Sequence, residues 1–165
     1  MNRALIICGI LFTVASQLIA QSVTAVGRQA AKNGEEVWLV INKIKFEKKQ
    51  EFDKILFGEV MSAMTEYRDK ADEKHELNKK SLKTMRVLRP TQINDDSTWT
   101  FLFIADPYIE GAIYNIGPPL LQKYADDGAQ AVFDRWNACY AAGQEVYLSK
   151  QSDWYSIGIN LSHSM

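Results

Sequence analysis

Cysteine, histidine and proline are scarce: two Cys, two His and four Pro are spread over 165 residues. Two Cys exclude a disulfide-dense scaffold. Two distant His and so few thiols leave no conventional zinc or haem ligand set, so no metal and no resident cofactor is expected. An excess of charge of either sign is also lacking. Nineteen Lys+Arg against twenty Asp+Glu give a net charge of −1, which excludes a strongly basic nucleic-acid protein and an acidic disordered chain. There is no GxGxxG, P-loop, HExxH, CxxC or GxSxG pattern. No basic-aromatic stripe points to a nucleic-acid partner. What the chain has in quantity is apolar residues, 47% of the whole, enough for one core.

Residues 1–20 have the form of a secretory signal peptide: Arg3 and the amino terminus, then the uncharged apolar run Ala4 to Ala15, then the small and polar Ser16, Gln17 and Ala20. Cleavage is expected after Ala20 or after Ala25. The run is shorter than the ~20 apolar residues of a spanning helix, so no stable membrane span is expected after cleavage, and the mature protein is expected to be periplasmic or extracellular. Cys8 leaves with the leader, and Cys139 lies in an apolar helical pattern, where it is expected to be buried.

Residues 21–34 are small and polar, a flexible lead-in. One domain is expected over 35–155, with a tail at 156–165. EVWLVINKIKF (36–46) is rich in β-branched and aromatic residues and is predicted to be a strand. One face carries Trp38, Val40, Asn42, Ile44 and Phe46; the other carries Val37, Leu39, Ile41, Lys43 and Lys45. From Lys48 the stripe Phe52, Ile55, Leu56, Val60, Ala63, Met64, Tyr67 and Ala71 predicts a long helix. The charged stretch 68–81 is either a continuation of that helix into solvent or a mobile connector.

LKTMRVLR (82–89) is the second predicted strand and TWTFLFIA (98–105) the third, joined through the turn cluster Asn94-Asp95-Asp96-Ser97. The segment 108–117 is irregular and aromatic. A short helix is predicted from Pro118 to Tyr124, and a second long one over 129–142 with the stripe Val132, Phe133, Trp136, Cys139 and Tyr140. QEVYLSK (144–150) is the fourth strand.

The order β-α-β-β-α-β predicts an α+β, ferredoxin-like domain: a four-stranded antiparallel sheet with helices on one face. The other face would carry apolar groups of strands one and three. A bare patch of that kind is rare in a monomer, so a homodimer through the sheet faces is expected.

The element order, VWLVINKIKF and TWTFLFIADPYIEGAIYNIGPPLLQKY together resemble the dimeric α+β barrel superfamily, which includes the antibiotic-biosynthesis monooxygenase-like domains. The resemblance covers 35–155 and implies a dimeric α/β barrel. Its haem-degrading members carry an Asn followed by a basic residue on the first strand, and Asn42-Lys43 looks similar. They also use a Trp near the end of the third strand and a His in a following helix. Here Ala105 or a neighbour occupies the Trp position, and no His lies between His75 and His163, so haem ligation is not expected.

Asn42 is the first candidate site residue, because an amide inside an apolar strand needs partners if buried. Trp99, Tyr108, Tyr114, Trp38 and Trp136 are candidates for lining a pocket for a flat apolar ligand, against the alternative that they are simply core. Arg86 is a candidate for an anionic ligand or a dimer-seam ion pair, and Arg89 shares its strand; the alternative is an edge charge that opposes aggregation. Glu59 borders the first helix stripe and is expected to face water, as is His75 within its charge run. Two functions follow: a small-molecule-binding or structural protein, and a cofactor-independent monooxygenase-like enzyme acting on an aromatic or quinone-like substrate. The enzyme needs Asn42, Tyr108, Tyr114 and Arg86 to converge on one cleft.

Overall fold

Alternation of apolar side chains along EVWLVINKIK forms the first strand, β1 (Glu36–Lys45). In this computed structural model, which describes residues 30–153, Val40, Asn42 and Ile44 of that strand are buried on one face. The expected leader, most of the lead-in and the tail with His163 lie outside the described residues.

A short 3-10 turn, Phe46–Lys48, leads into helix α1, which covers 49–66 in three parts. Its ends, Lys49–Lys54 and Met61–Glu66, are α-helical, and its middle, Ile55–Val60, is π-helical. The predicted stripe is buried from Phe52 to Met64. It stops there: Tyr67 turns to an extended conformation, and Ala71 is exposed. The Gln122 side chain holds the turn from both sides, accepting from the Arg68 N–H at 2.8 Å and donating to the Arg68 carbonyl at 2.9 Å.

The charged stretch is neither a continuation nor a connector. It forms a separate helix, α2 (Asp72–Thr84), with Asp72 and Glu73 at the favourable end of its dipole. Its buried side is Asn78, Ser81 and Thr84. Ser81 and Thr84 satisfy their hydroxyls on carbonyls three residues back. Asn78 Oδ1 accepts from the Ile113 N–H at 2.8 Å, which ties the irregular segment to α2. The second strand is correspondingly shorter than expected: β2 is Met85–Leu88, and Leu82 to Thr84 end the helix instead. Leu82 therefore does not share a strand face with Arg86 and Leu88.

Strand β3 is Thr98–Ala105. Its entry turn is held by Asn94, whose amide donates to the Thr98 and Thr100 hydroxyls at 2.9 and 2.8 Å. Helix α3, Gly117–Ala138, has Pro in its first turn and breaks at Ala125 (φ 56°, ψ −176°), a division close to that between the two expected helices, but its second part stops at Ala138 instead of running to Ala142, because residues 139–141 turn to bond β1. Strand β4 (Glu145–Lys150) is an edge strand, exposed throughout.

The sheet order is β2-β3-β1-β4, with every pairing antiparallel. This is the ferredoxin-like α+β arrangement. The register sets Trp38 opposite Ala105, Val40 opposite Phe103, Asn42 opposite Phe101 and Ile44 opposite Trp99, all on one face. Ile44 and Phe101 pack there with Phe52, Ile55, Leu56, Leu120 and Trp136 of the helices. Val37, Leu39, Ile41, Leu102 and Ile104 point the other way and are half-buried, outside that core cluster.

Phe52 and Phe101 are fully buried and meet edge to face, with centroids 4.8 Å apart. Phe101→Ala is expected to cost about 3–5 kcal/mol in equilibrium urea unfolding, the usual range for emptying such a site. A loss under about 1 kcal/mol would show that this ring is not a packed centre of the core.

Candidate functional site

Most of the helix-side face is filled by large side chains. At Ala105 the strand offers only a methyl group, opposite Trp38. The space left there is a cavity of ≈ 280 Å³. Trp38 and Val40 of β1, Phe103 and Ala105 of β3, and Phe133 and Trp136 of α3 form its walls. Asn115, Asn137, Gln144 and Val146 also border it, and among the described residues none that lines it is charged. Aromatic walls with a few neutral polar groups are the composition of small-molecule sites.

Tyr114 lines this cavity, and Tyr108 does not. The two rings stack at 5.0 Å, and both meet Trp38 edge-on, at 4.9 Å for Tyr114 and 5.8 Å for Tyr108. Tyr108 thus backs the wall that Tyr114 and Trp38 present. The Tyr114 hydroxyl accepts from the Ile109 N–H at 2.8 Å. Burial pushes its phenol above the ordinary value; the Ile109 hydrogen bond opposes this and Tyr108 adds to it.

Asn42 is fully buried and satisfied on every side. Its Nδ2 donates to the carbonyls of Val40 and Phe101, each at 3.3 Å. Its Oδ1 accepts from the Tyr140 hydroxyl at 3.1 Å and from Gln144 Nε2 at 2.5 Å. Gln144 Nε2 also donates to the Tyr140 hydroxyl at 3.1 Å. The chain after α3 is brought to β1 by two backbone bonds, from the Lys45 N–H to the Cys139 carbonyl and from the Ala141 N–H to the Lys43 carbonyl, both 2.9 Å. Those bonds place Tyr140 over Asn42. Desolvation is the main reason the Tyr140 phenol is pushed far above its ordinary value, with the hydrogen bond from Gln144 acting the other way.

The remaining candidates lie elsewhere. Arg86 sits on the opposite sheet face in an ion pair with Asp106, whose other carboxylate oxygen accepts from the Ala31 N–H. The guanidinium Nε is enclosed without a hydrogen-bond partner among the described residues. Trp99 does not line the cavity: its indole N–H donates to the Phe46 carbonyl at 3.1 Å and its ring stacks on Phe46. Glu59 does not simply face water, since it grips Arg135 with both oxygens, at 3.0 and 2.6 Å. Nor is His75 solvated: it is half-buried on α2, with Nδ1 enclosed and unpartnered among the described residues. Cys139 is fully buried, as expected, and desolvation pushes its thiol up. Arg89 pairs with Asp53 and lies over the Phe57 ring. Of the four groups an enzyme would need together, only Tyr114 lines the cavity; Asn42 reaches its rim through Gln144.

The sequence pattern does not mark Gln144. It stands opposite Asn42 in the continuation of the β1–β4 register, 102 positions away, and as the polar first residue of the strand expected over 144–150, which begins one residue later at Glu145, it carries no signal of its own. Tyr140 is visible as part of a helical stripe, but its bond to Asn42 follows only from the strand-like pairing of 139–141.

No family model matches the chain, and no curated protein matches it. Among solved structures it is similar to a conserved protein from Methanosarcina mazei Go1, with 17% identity and TM-score 0.35 over 72% of this chain and 94% of that one. It is also similar to a protein called "Putative antibiotic biosynthesis monooxygenase" from Nitrosomonas europaea, with 9% identity and TM-score 0.37 over 74% of this chain and 95% of that one. A protein of the same description from Caulobacter crescentus CB15 matches with 10% identity and TM-score 0.35 over 72% and 91% of the two chains. The fold assignment rests on the strand order and register themselves.

The Tyr140 phenol has a sign-definite consequence. Its folded value is raised above the ordinary 10.0, so above that pH the unfolded chain sheds a proton that the native state keeps. Stability from this group is complete below pH 10 and falls as the pH rises through the folded value. Wild-type protein is therefore expected to lose stability in urea titrations between about pH 10 and 11.5 more steeply than Tyr140→Phe. Parallel curves would show that Tyr140 is not the shifted phenol.

Proposed function

We propose that the protein binds a flat, uncharged, largely apolar small molecule in the cavity between β1, β3 and α3. The observation that carries this reading is the lining itself: Trp38, Phe103, Phe133 and Trp136 supply apolar walls, and among the described residues no charged group lines the space. An ionised ligand would lose its hydration there with nothing to pair with. A neutral aromatic gains from burial at roughly 25 cal/mol per Å² of apolar area.

Calorimetric titration with 2-naphthol, coumarin and benzoate tests it. At least one neutral probe is expected to bind saturably, one per chain, and benzoate is not. Val146 borders the cavity from the exposed edge strand, so Val146→Trp is expected to weaken binding at least tenfold, about 1.4 kcal/mol, without lowering the melting temperature. Absence of saturable binding by both neutral probes, or tight binding of benzoate, overturns the reading.

A second reading, a cofactor-independent monooxygenase-like enzyme acting on an aromatic or quinone-like substrate, is favoured by one observation. The Tyr114 hydroxyl accepts from Ile109 at the cavity wall and keeps its own proton to donate. Oxygen uptake that depends on a bound probe and is lost in Tyr114→Phe is the measurement that would prefer it.

The binding protein is proposed to act after export, as a homodimer through the open sheet faces. The support is the signal-like pattern of 1–20 and the apolar Val37, Leu39, Ile41, Leu102 and Ile104 outside the core cluster. Burying a large apolar side chain contributes roughly 1.5–3 kcal/mol, so several across a two-fold seam offset the cost of association. Protein from fractionated cells is expected to begin at Gln21 or Val26 by N-terminal sequencing and to scatter light as a dimer. An intact Met1 in the cytoplasm overturns export, and a monomer mass at roughly tens of micromolar overturns the dimer.

A further inference from the structure

We infer that Gln144 selects the polar group of the ligand: its amide oxygen accepts a hydrogen bond, so the cavity prefers molecules that carry an N–H or O–H donor at the end facing β4. This inference rests on the cavity reading above.

The geometry follows from donor and acceptor counting. Asn42 is buried at 0% exposure, and its Nδ2 lies against two backbone carbonyls. Turning that amide over would set its oxygen against both carbonyls and leave buried acceptors unpaired. Asn42 Oδ1 is therefore the acceptor that faces the chain after α3. Gln144 must offer its nitrogen to it, and that same nitrogen also donates to the Tyr140 hydroxyl. Both amide protons of Gln144 are then committed. The Tyr140 proton is committed too, to Asn42 Oδ1. One group of the triad remains for a ligand: Gln144 Oε1, an acceptor.

Gln144 borders the ≈ 280 Å³ cavity and the adjoining recess of ≈ 190 Å³ formed with Trp136, Tyr140 and Gly143. Although the residue is exposed, its two hydrogen bonds keep the amide from turning. The other rim amides do not discriminate in this way. Asn115 spends its oxygen on the Gly117 N–H at 2.8 Å, and Asn137 has no side-chain hydrogen bond among the described residues, so it can present either end. Tyr140 acts here as a positioning residue.

Indole and benzofuran test the proposal, since they share a shape and differ in the N–H donor. Calorimetric titration of the wild-type protein is expected to give indole a five- to tenfold lower Kd, the size of one solvent-accessible hydrogen bond. Gln144→Leu is expected to bring indole to the benzofuran value while benzofuran is retained. Tyr140→Phe frees one Gln144 N–H to face a ligand, and the ratio is expected to narrow without loss of either probe. Equal Kd values for the two probes in the wild-type protein, or an indole preference that survives Gln144→Leu, overturn the role of Gln144 and leave the cavity reading standing. Binding of neither probe overturns both.

Discussion

A carboxamide buried in the middle of a central strand must find partners for two donors and an acceptor oxygen, or the strand does not form there. Asn42 meets that requirement with two carbonyls inside the sheet and two side chains from the far end of the chain. The second pair imposes a geometry. Tyr140 and Gln144 reach Asn42 only if the chain leaving α3 runs along β1, which the backbone bonds of 139 and 141 to β1 accomplish. That path delivers residue 145 to the β1 edge in register for β4. One buried amide thus links the centre of the sheet, the end of α3, the start of the edge strand and the rim of the cavity.

The parts of the fold visible in the sequence are those where burial is apolar. Strand β3 matches its expected bounds because TWTFLFIA alternates between turn signals, and the α1 stripe is legible because Phe52, Ile55, Leu56 and Val60 are all core. Helix α2 was illegible for the converse reason. Its buried side is Asn78, Ser81 and Thr84, so hydrophobic periodicity has nothing to register. The error at the start of β2 has the same origin, since Leu82 to Thr84 satisfy a strand pattern while belonging to the last turn of that helix.

Legibility of the site divides in the same way. Trp38, Tyr114 and Trp136 announce an aromatic wall by composition, and each lines the cavity. Trp99 has the same composition and the same sheet face, yet it lies one end of the strand away, committed to Phe46. Arg86 and Tyr108 share a neighbourhood in the sequence with true lining residues, but Arg86 points to the other face and Tyr108 stands behind Tyr114. Which aromatic faces empty space depends on where a small residue is set opposite it. Ala105 decides this here, through a cross-strand register that the local sequence does not encode.

The neutrality of the cavity follows from strand parity. Lys43 and Lys45 occupy alternate positions of β1, and the lysines lie on the face opposite Val40, Asn42 and Ile44. Lys43 is drawn further outward by Asp96 of the β3 entry turn, at 2.9 Å. A slip of one residue in the β1–β3 register would exchange the faces, setting lysines against Phe101 and Trp136 and exposing the Asn42 amide. The penalty for burying a cation there and losing four amide hydrogen bonds opposes every such alternative. The polar residue that anchors the register is therefore also the one that keeps charge out of the cavity. The same amide orients Gln144 at the rim, so specificity of fold and the polarity offered to a ligand derive from one side chain.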